Sequence, residues 1–201
     1  MMVKRVTLCC LLILLLSYIS VVAANVEEPK KLVMSVASET ISRLKADKDL
    51  IKKDSKHVHQ LINELLIPHF DFEKMAKWTM GRHWRKANAT QKNDFIEEFK
   101  SLLIRTYATS LTEYSDQKID YLPMRDSESS DDVTVRSEIK QGGGFPIPID
   151  YDLHKVNGEW KVYDVKIDEI SLIANYRTSF SRQIKRIGID GLIKKLATKN
   201  R

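Results

Sequence analysis

Apolar residues recur at helical spacing through the first half of the chain. Residues 32–44, 58–66 and 95–111 each place them three and four positions apart, which is typical of amphipathic helices that bury one face. Pro68 ends the second helix, because the residue before a proline disfavours helix. Asp71 is positioned to cap a short helix that runs to Gly81, and Thr90 to cap the third long helix.

The period changes to two after Lys118. Residues 133–140, 147–154 and 160–167 alternate apolar and polar side chains, as strands with one buried face do. Asn157-Gly158 predicts a tight hairpin between the last two strands, and residues 118–122 add a fourth. Helical spacing returns at residues 173–187, and Gly188 separates a last helical segment. The pattern predicts a single α+β domain in which helices pack on one face of a four-stranded antiparallel sheet.

The first 24 residues differ from the rest. Lys4 and Arg5 precede an uninterrupted apolar run at residues 8–16, and the small residues Val22, Ala23 and Ala24 follow. This order is that of a secretory signal peptide. A retained membrane anchor is the alternative, but the apolar run is shorter than the ~20 residues that a spanning helix needs. We therefore expect cleavage after Ala24 and a mature domain at residues 25–201.

Composition and charge exclude several classes of protein. With 43% hydrophobic and 30% charged residues, the chain is neither fibrous nor wholly disordered. Cleavage would remove Cys9 and Cys10, both of the chain's cysteines, together with Lys4 and Arg5, and so lower the formal net charge from +6 to +4. This excess is too small and too dispersed to indicate a nucleic-acid partner.

Catalytic and metal-binding patterns are missing from the expected mature sequence. It has no nucleophilic cysteine and no Gly-x-Ser-x-Gly elbow. Asp164, Asp168 and Glu169 are predicted to be solvated surface acids, because positions four apart on a strand lie roughly 13 Å apart, too far to share a proton. His57 and His59 point in different directions on a helix and cannot form one metal site. These residues predict neither an enzyme nor a resident cofactor or metal.

Several segments, in order along nearly the whole expected mature chain, resemble the MlaC family, also called the toluene-tolerance auxiliary family. They are residues 70–76, 81–87, 149–151, 158–165, 171–172 and 175–180, with Gln91, Phe95, Phe99, Leu102, Leu103, Thr106, Tyr107 and Leu111 between them. Two departures are visible: Glu169 stands where the family usually has glycine, and Met80 where leucine is usual.

The resemblance implies a periplasmic phospholipid carrier that maintains the lipid asymmetry of the outer membrane. Its implied partners are phospholipid as cargo, an inner-membrane ABC transporter with an MCE-domain subunit, and an outer-membrane complex of a lipoprotein and a porin. The implied fold is a twisted antiparallel sheet with helices around an apolar lipid cavity, and we expect a monomer. An envelope adaptor that binds proteins without lipid, and a hydrolase with an unrecognised site, remain the alternatives.

Candidate site residues follow from the same resemblance. Those expected to line the cavity are Trp84, Tyr107, Val135, Ile149, Tyr151, Val165, Ile167, Tyr176 and Phe180. Periodicity alone favours ordinary core for these side chains. Those expected at a basic rim near the lipid headgroup are Arg82, Arg85, Lys86 and Arg177. Solvated basic side chains on a helix face are an equally good interpretation of the rim residues.

Overall fold

In the computed structural model, six helices and one antiparallel sheet make up the described part of the chain, which comprises residues 27–113, 116–125, 131–140 and 142–200. The helices are α1 (Glu27–Ala46), α2 (Lys48–Lys53), α3 (Lys56–Leu65), α4 (Phe72–Met80), α5 (Ala89–Glu113) and α6 (Leu172–Asn200). Short 3-10 turns occupy Ile67–His69 and Gly81–Lys86. Gly188 has a positive φ of 75° and divides α6 into two helical segments, as its place in the sequence predicts. The predicted signal peptide, residues 1–24, lies outside the described residues.

The sheet is an open meander of five strands, one more than the sequence predicts. The strands are β1 (Lys118–Tyr121), β2 (Asp132–Lys140), β3 (Ile147–Val156), β4 (Glu159–Ile167) and β5 (Ile170–Ser171), each antiparallel to its neighbour. The α+β fold is confirmed, but the predicted strand count of four is wrong. The sequence pattern does not reveal β5, because this strand has only two residues and shows no alternation.

Both turns beside β4 use left-handed backbone. Asn157 and Gly158 have φ of 52° and 87° and form the predicted hairpin. Asp168 and Glu169, with φ of 50° and 64°, reverse the chain into β5. Glycine takes such angles without the steric cost of a Cβ. Asp168 and Glu169 have a Cβ and therefore carry this cost in the turn into β5.

Helices lie on both faces of the sheet, so the prediction of a single covered face is wrong. Leu32 and Val33 of α1 pack on the apolar face. On the opposite face, Tyr163 of β4 joins the cluster formed by α4, α5 and α6, and its hydroxyl donates to Asp132 at 2.6 Å. A bulge between β3 and β4 at Asp152 and Leu153 allows this arrangement, since it inserts Tyr163 as an extra residue.

Asn88, and not Thr90, caps helix α5. The Asn88 side chain accepts from the Gln91 N–H at 2.8 Å, and the Gln91 side chain accepts from the Asn88 N–H at 3.1 Å. This is a complete capping box, two residues earlier than predicted.

We expect Asn88→Ala to lower the free energy of unfolding by about 1 kcal/mol, because it leaves a first-turn N–H without its acceptor. Thr90→Ala is the matched control and should change it by less than about 0.5 kcal/mol. Urea unfolding of the two variants measures both values. Equal losses would contradict the assignment of the cap.

Candidate functional site

One face of the sheet is lined almost entirely by apolar side chains. The strand register and the two-residue period place on it Ile119, Tyr121, Val133, Val135, Ile139, Ile147, Ile149, Tyr151, Leu153, Trp160, Val162, Val165 and Ile167. We call this surface the apolar sheet face. Its centre, at Val135 and Leu153, is fully buried. Val165 and Ile167, towards one end of β4, are only half-buried.

A pocket of about 510 Å³ opens at one edge of this face, between the first turns of α1 and the edge strand β1. Its lining residues are Lys30, Lys31, Met34, Ile119, Asp120 and Tyr121. The volume falls within the ~300–1,000 Å³ of small-molecule sites. The pocket is therefore large enough for part of a lipid, and its mouth carries two ammonium groups.

Three hydroxyls interrupt the apolar sheet face next to the pocket. The Ser137 Oγ donates to the Ile149 carbonyl at 3.2 Å and is also hydrogen-bonded to the Tyr151 hydroxyl. Burial raises the pKa of Tyr151. Burial is also the main cause of the raised pKa of Tyr121, and the neighbouring Tyr151 raises it further. Both phenols therefore stay protonated and neutral across the physiological range.

Five of the nine predicted cavity residues share the apolar sheet face: Val135, Ile149, Tyr151, Val165 and Ile167. The other four belong to a second cluster, formed by α4, α5, α6 and the 3-10 turn before α5, which we call the helical core: Trp84, Tyr107, Tyr176 and Phe180. Phe70 contacts both clusters. The structure thus gathers the nine residues into two groups, one on each side of the sheet.

The helical-core aromatics pack on one another. Phe99 contacts Tyr176 and Phe180 with ring centroids 5.4 and 5.9 Å apart. Burial and the nearby Tyr176, with which its hydroxyl is hydrogen-bonded, raise the pKa of Tyr107 to about 12. Lipid contact by Trp84, Tyr107, Tyr176 and Phe180 stays a prediction.

The predicted basic rim, Arg82, Arg85, Lys86 and Arg177, is exposed and lies beside the helical core. The Arg177 guanidinium packs so closely on Gly81 that a Cβ there would lie 3.0 Å from its Nε. Burial is the main cause of the lowered pKa of His83, and the positive charges of Arg82, Lys86 and Lys185 lower it further. A headgroup role for these four side chains stays a prediction, and none of them lines the pocket beside β1.

Sequence reasoning missed the residues at the pocket mouth. Lys30 and Lys31 precede the apolar positions of α1 and look like solvated charges in the sequence. Alternation in β1 offers the one available signal, because it places Ile119 and Tyr121 on the same face. Which helix covers that face is a tertiary property that local spacing does not encode.

The prediction that Asp164 is a solvated surface acid is wrong. It is 6% exposed instead of solvated, and its carboxylate accepts from the Ser171 hydroxyl at 2.5 Å and from the N–H groups of Val165 and Ile173 at 2.9 and 3.2 Å. Burial raises the pKa of Asp164 despite these bonds. All of these donors are structural, and the carboxylate serves to hold the start of α6 against β4.

Neither a metal site nor a membrane span is found in the described part of the chain. No three His, Cys, Asp or Glu side chains there are grouped to hold a metal ion. No helix among the same residues combines the length and the apolarity that crossing a membrane requires.

Comparison with known proteins decides the family. The family model described as MlaC protein matches residues 34–198, which includes every strand and every helix described above except the start of α1, residues 27–33, and the last two residues of α6. The chain belongs to the MlaC family.

Two relatives are each 28% identical to this chain. The intermembrane phospholipid transport system binding protein MlaC of Haemophilus influenzae aligns over 171 residues, 84% of this chain and 80% of its own length. The toluene tolerance protein of Pseudomonas putida aligns over 180 residues, which are 89% of this chain and 83% of its own length.

A solved MlaC-like structure has the same fold. The phospholipid-binding protein of Ralstonia solanacearum, determined in complex with a phospholipid, superposes with a TM-score of 0.79 at 34% sequence identity. The match covers 88% of this chain and 97% of that one. The mixed helix and sheet architecture, with its open antiparallel sheet, is therefore that of a phospholipid-binding protein.

Proposed function

We propose that this protein is a periplasmic phospholipid carrier that moves glycerophospholipid between the outer and inner membranes and so maintains outer-membrane lipid asymmetry. The observation that carries the proposal is the phospholipid complex of the Ralstonia protein, whose fold this chain shares over nearly its whole length. The partners proposed with it are an inner-membrane ABC transporter with an MCE-domain subunit and an outer-membrane lipoprotein-porin complex.

The apolar sheet face gives the proposal a physical basis. Two acyl chains of about sixteen carbons would cost on the order of 25 kcal/mol to expose to water, at ~0.8 kcal/mol per CH₂. A carrier must replace water with apolar contact over that length. The half-buried Val165 and Ile167 mark an end of the apolar sheet face that other side chains cover only in part. We propose that the acyl chains lie along this end of the face, over Tyr151, Val165 and Ile167.

Transfer between vesicles tests the carrier function. The purified protein is incubated with vesicles that contain labelled phospholipid, separated from them by gel filtration, and added to unlabelled vesicles. A carrier leaves the first step with labelled lipid bound and delivers it in the second. The adaptor alternative predicts no label on the protein, and a hydrolase predicts free fatty acid or another fragment in place of intact lipid.

Export is tested separately by the amino terminus of the protein recovered from the periplasm. We expect it to begin at Asn25, because the small residues at 22–24 end the predicted signal peptide. A protein that keeps Met1 and stays in the membrane fraction would contradict the proposed localisation.

A further inference from the structure

The apolar sheet face carries hydroxyl groups from three neighbouring strands beside the pocket, and one of them, that of Tyr121, belongs to a residue that lines the pocket. Tyr121 of β1 lies directly opposite Ser137 of β2, and Ser137 lies opposite Ile149 of β3. Tyr151 is two residues beyond Ile149 on the same face and is therefore the diagonal neighbour of Ser137. Two phenols and one serine thus meet where the apolar sheet face reaches the pocket.

The hydrogen bonds of this group leave one hydroxyl unused. The Ser137 hydroxyl is already engaged, because it donates to the Ile149 carbonyl at 3.2 Å and is also hydrogen-bonded to Tyr151. The Tyr121 hydroxyl makes no hydrogen bond to any residue in the described part of the chain. Tyr121 is partly exposed and lines the pocket, so its hydroxyl can donate to a ligand oxygen there.

The charge at the pocket mouth is positive. Lys30 and Lys31 form no ion pair with any described residue. The carboxylate that shares the pocket, Asp120, is already within 2.9 Å of the Lys118 Nζ and 3.8 Å of the Lys140 Nζ. An anionic group that enters therefore meets two ammonium groups that no described carboxylate pairs with, and one acid that two lysines neutralise.

We propose that this pocket binds the glycerol-phosphate part of a diacyl phospholipid, with Lys30 and Lys31 at the phosphate and the Tyr121 hydroxyl at a phosphate or ester oxygen. The proposal rests on the carrier function proposed above and specifies where the polar part of the cargo sits. The acyl chains then run from the pocket onto the apolar sheet face, past Tyr151. It assigns the phosphate to α1 and β1 instead of to the basic residues beside the helical core.

Paired lipids that differ only in the phosphate test this assignment. Delipidated full-length mature protein is offered dioleoyl phosphatidylglycerol and dioleoylglycerol from vesicles, and the ratio of bound lipids is measured by mass spectrometry. The variants are Lys30→Gln with Lys31→Gln, and Tyr121→Phe. The matched control, called the α6 control, is Lys194→Gln with Lys195→Gln, which removes the same charge from α6. Arg82→Gln with Arg85→Gln, the arginine pair variant, tests the alternative placement of the phosphate at the basic rim. Thermal unfolding confirms that each variant is folded.

We expect the wild-type protein to prefer the phospholipid. The lysine pair variant should reduce this preference about 2- to 30-fold, as the loss of two exposed charge contacts does. Tyr121→Phe should reduce phospholipid binding about 2- to 10-fold, as the loss of one hydrogen bond does. Added salt should weaken the preference in the wild type, and the α6 control should match the wild type. The arginine pair variant should lower the preference less than the lysine pair variant does.

Either of two outcomes would overturn the assignment of the phosphate site and leave the carrier function standing. They are a lysine pair variant with the wild-type preference, and an arginine pair variant that loses more of it than the lysine pair variant does. A wild-type protein that binds neither lipid would instead overturn the carrier function on which the assignment rests.

Discussion

Val165→Asp is expected to remove bound phospholipid while the protein stays folded. Val165 is half-buried on the apolar sheet face and pairs with Tyr151 across the strands. An ionised carboxylate there would have to be desolvated against acyl chains, at a cost of several kcal/mol. Since each 1.4 kcal/mol is tenfold in affinity, lipid occupancy should fall at least tenfold. Extraction of the purified variant and quantification of its phospholipid measure this directly.

Two further variants make the result specific. Leu50→Asp puts the same change on an exposed apolar residue of α2, away from the sheet, and should leave lipid occupancy unchanged. Ile149→Asp should also lose lipid, but Ile149 is 8% exposed, so part of its effect will be loss of stability. A folded Val165→Asp protein with full lipid would contradict the placement of the acyl chains.

Asp164→Ala is expected to give the largest loss of stability among the substitutions considered. The carboxylate accepts three hydrogen bonds, and truncation leaves the buried Ile173 N–H and the Ser171 hydroxyl without their acceptor. Each buried group left unsatisfied costs about 1–3 kcal/mol, so the free energy of unfolding should fall by about 3 kcal/mol or more. Ser171 in turn caps α6 by accepting from the Ala174 N–H at 3.0 Å, so the helix start loosens as well.

Asp94→Ala, at an exposed position of α5, is the control for this loss and should change stability by less than about 0.5 kcal/mol. Asp164→Asn keeps one acceptor oxygen and should fall between the two. Chemical denaturation of the three variants gives the ranking. Equal stability of Asp164→Ala and Asp94→Ala would show that the carboxylate does not hold α6 to the sheet.

The sequence predicts most of the fold because its two periods are distinct. Alternation at residues 133–140 and the Asn157-Gly158 turn specify β2, β3, β4 and their hairpins, and helical spacing specifies α1, α3, α5 and α6. The short helix α2 escapes detection because it contributes no buried residue. The capping box escapes because Asn88 lies before the residue on which the pattern of α5 first becomes regular.

Burial that depends on distant segments could not be predicted in the same way. Alternation puts Asp164 on the polar face and so indicates solvent, but the start of α6 covers it. The same limit applies to the candidate site. Five cavity residues share a face because they belong to paired strands, whereas Lys30 and Lys31 reach the pocket only because α1 packs beside β1.

The most direct test is native mass spectrometry of the mature protein purified from the periplasm, with analysis of its organic extract. We expect a protein-lipid complex of matching mass and a near-equimolar amount of intact diacyl glycerophospholipid in the extract. Delipidation followed by exposure to phospholipid vesicles should restore the complex. Protein that carries no lipid when isolated, and takes up none from vesicles, would contradict the account.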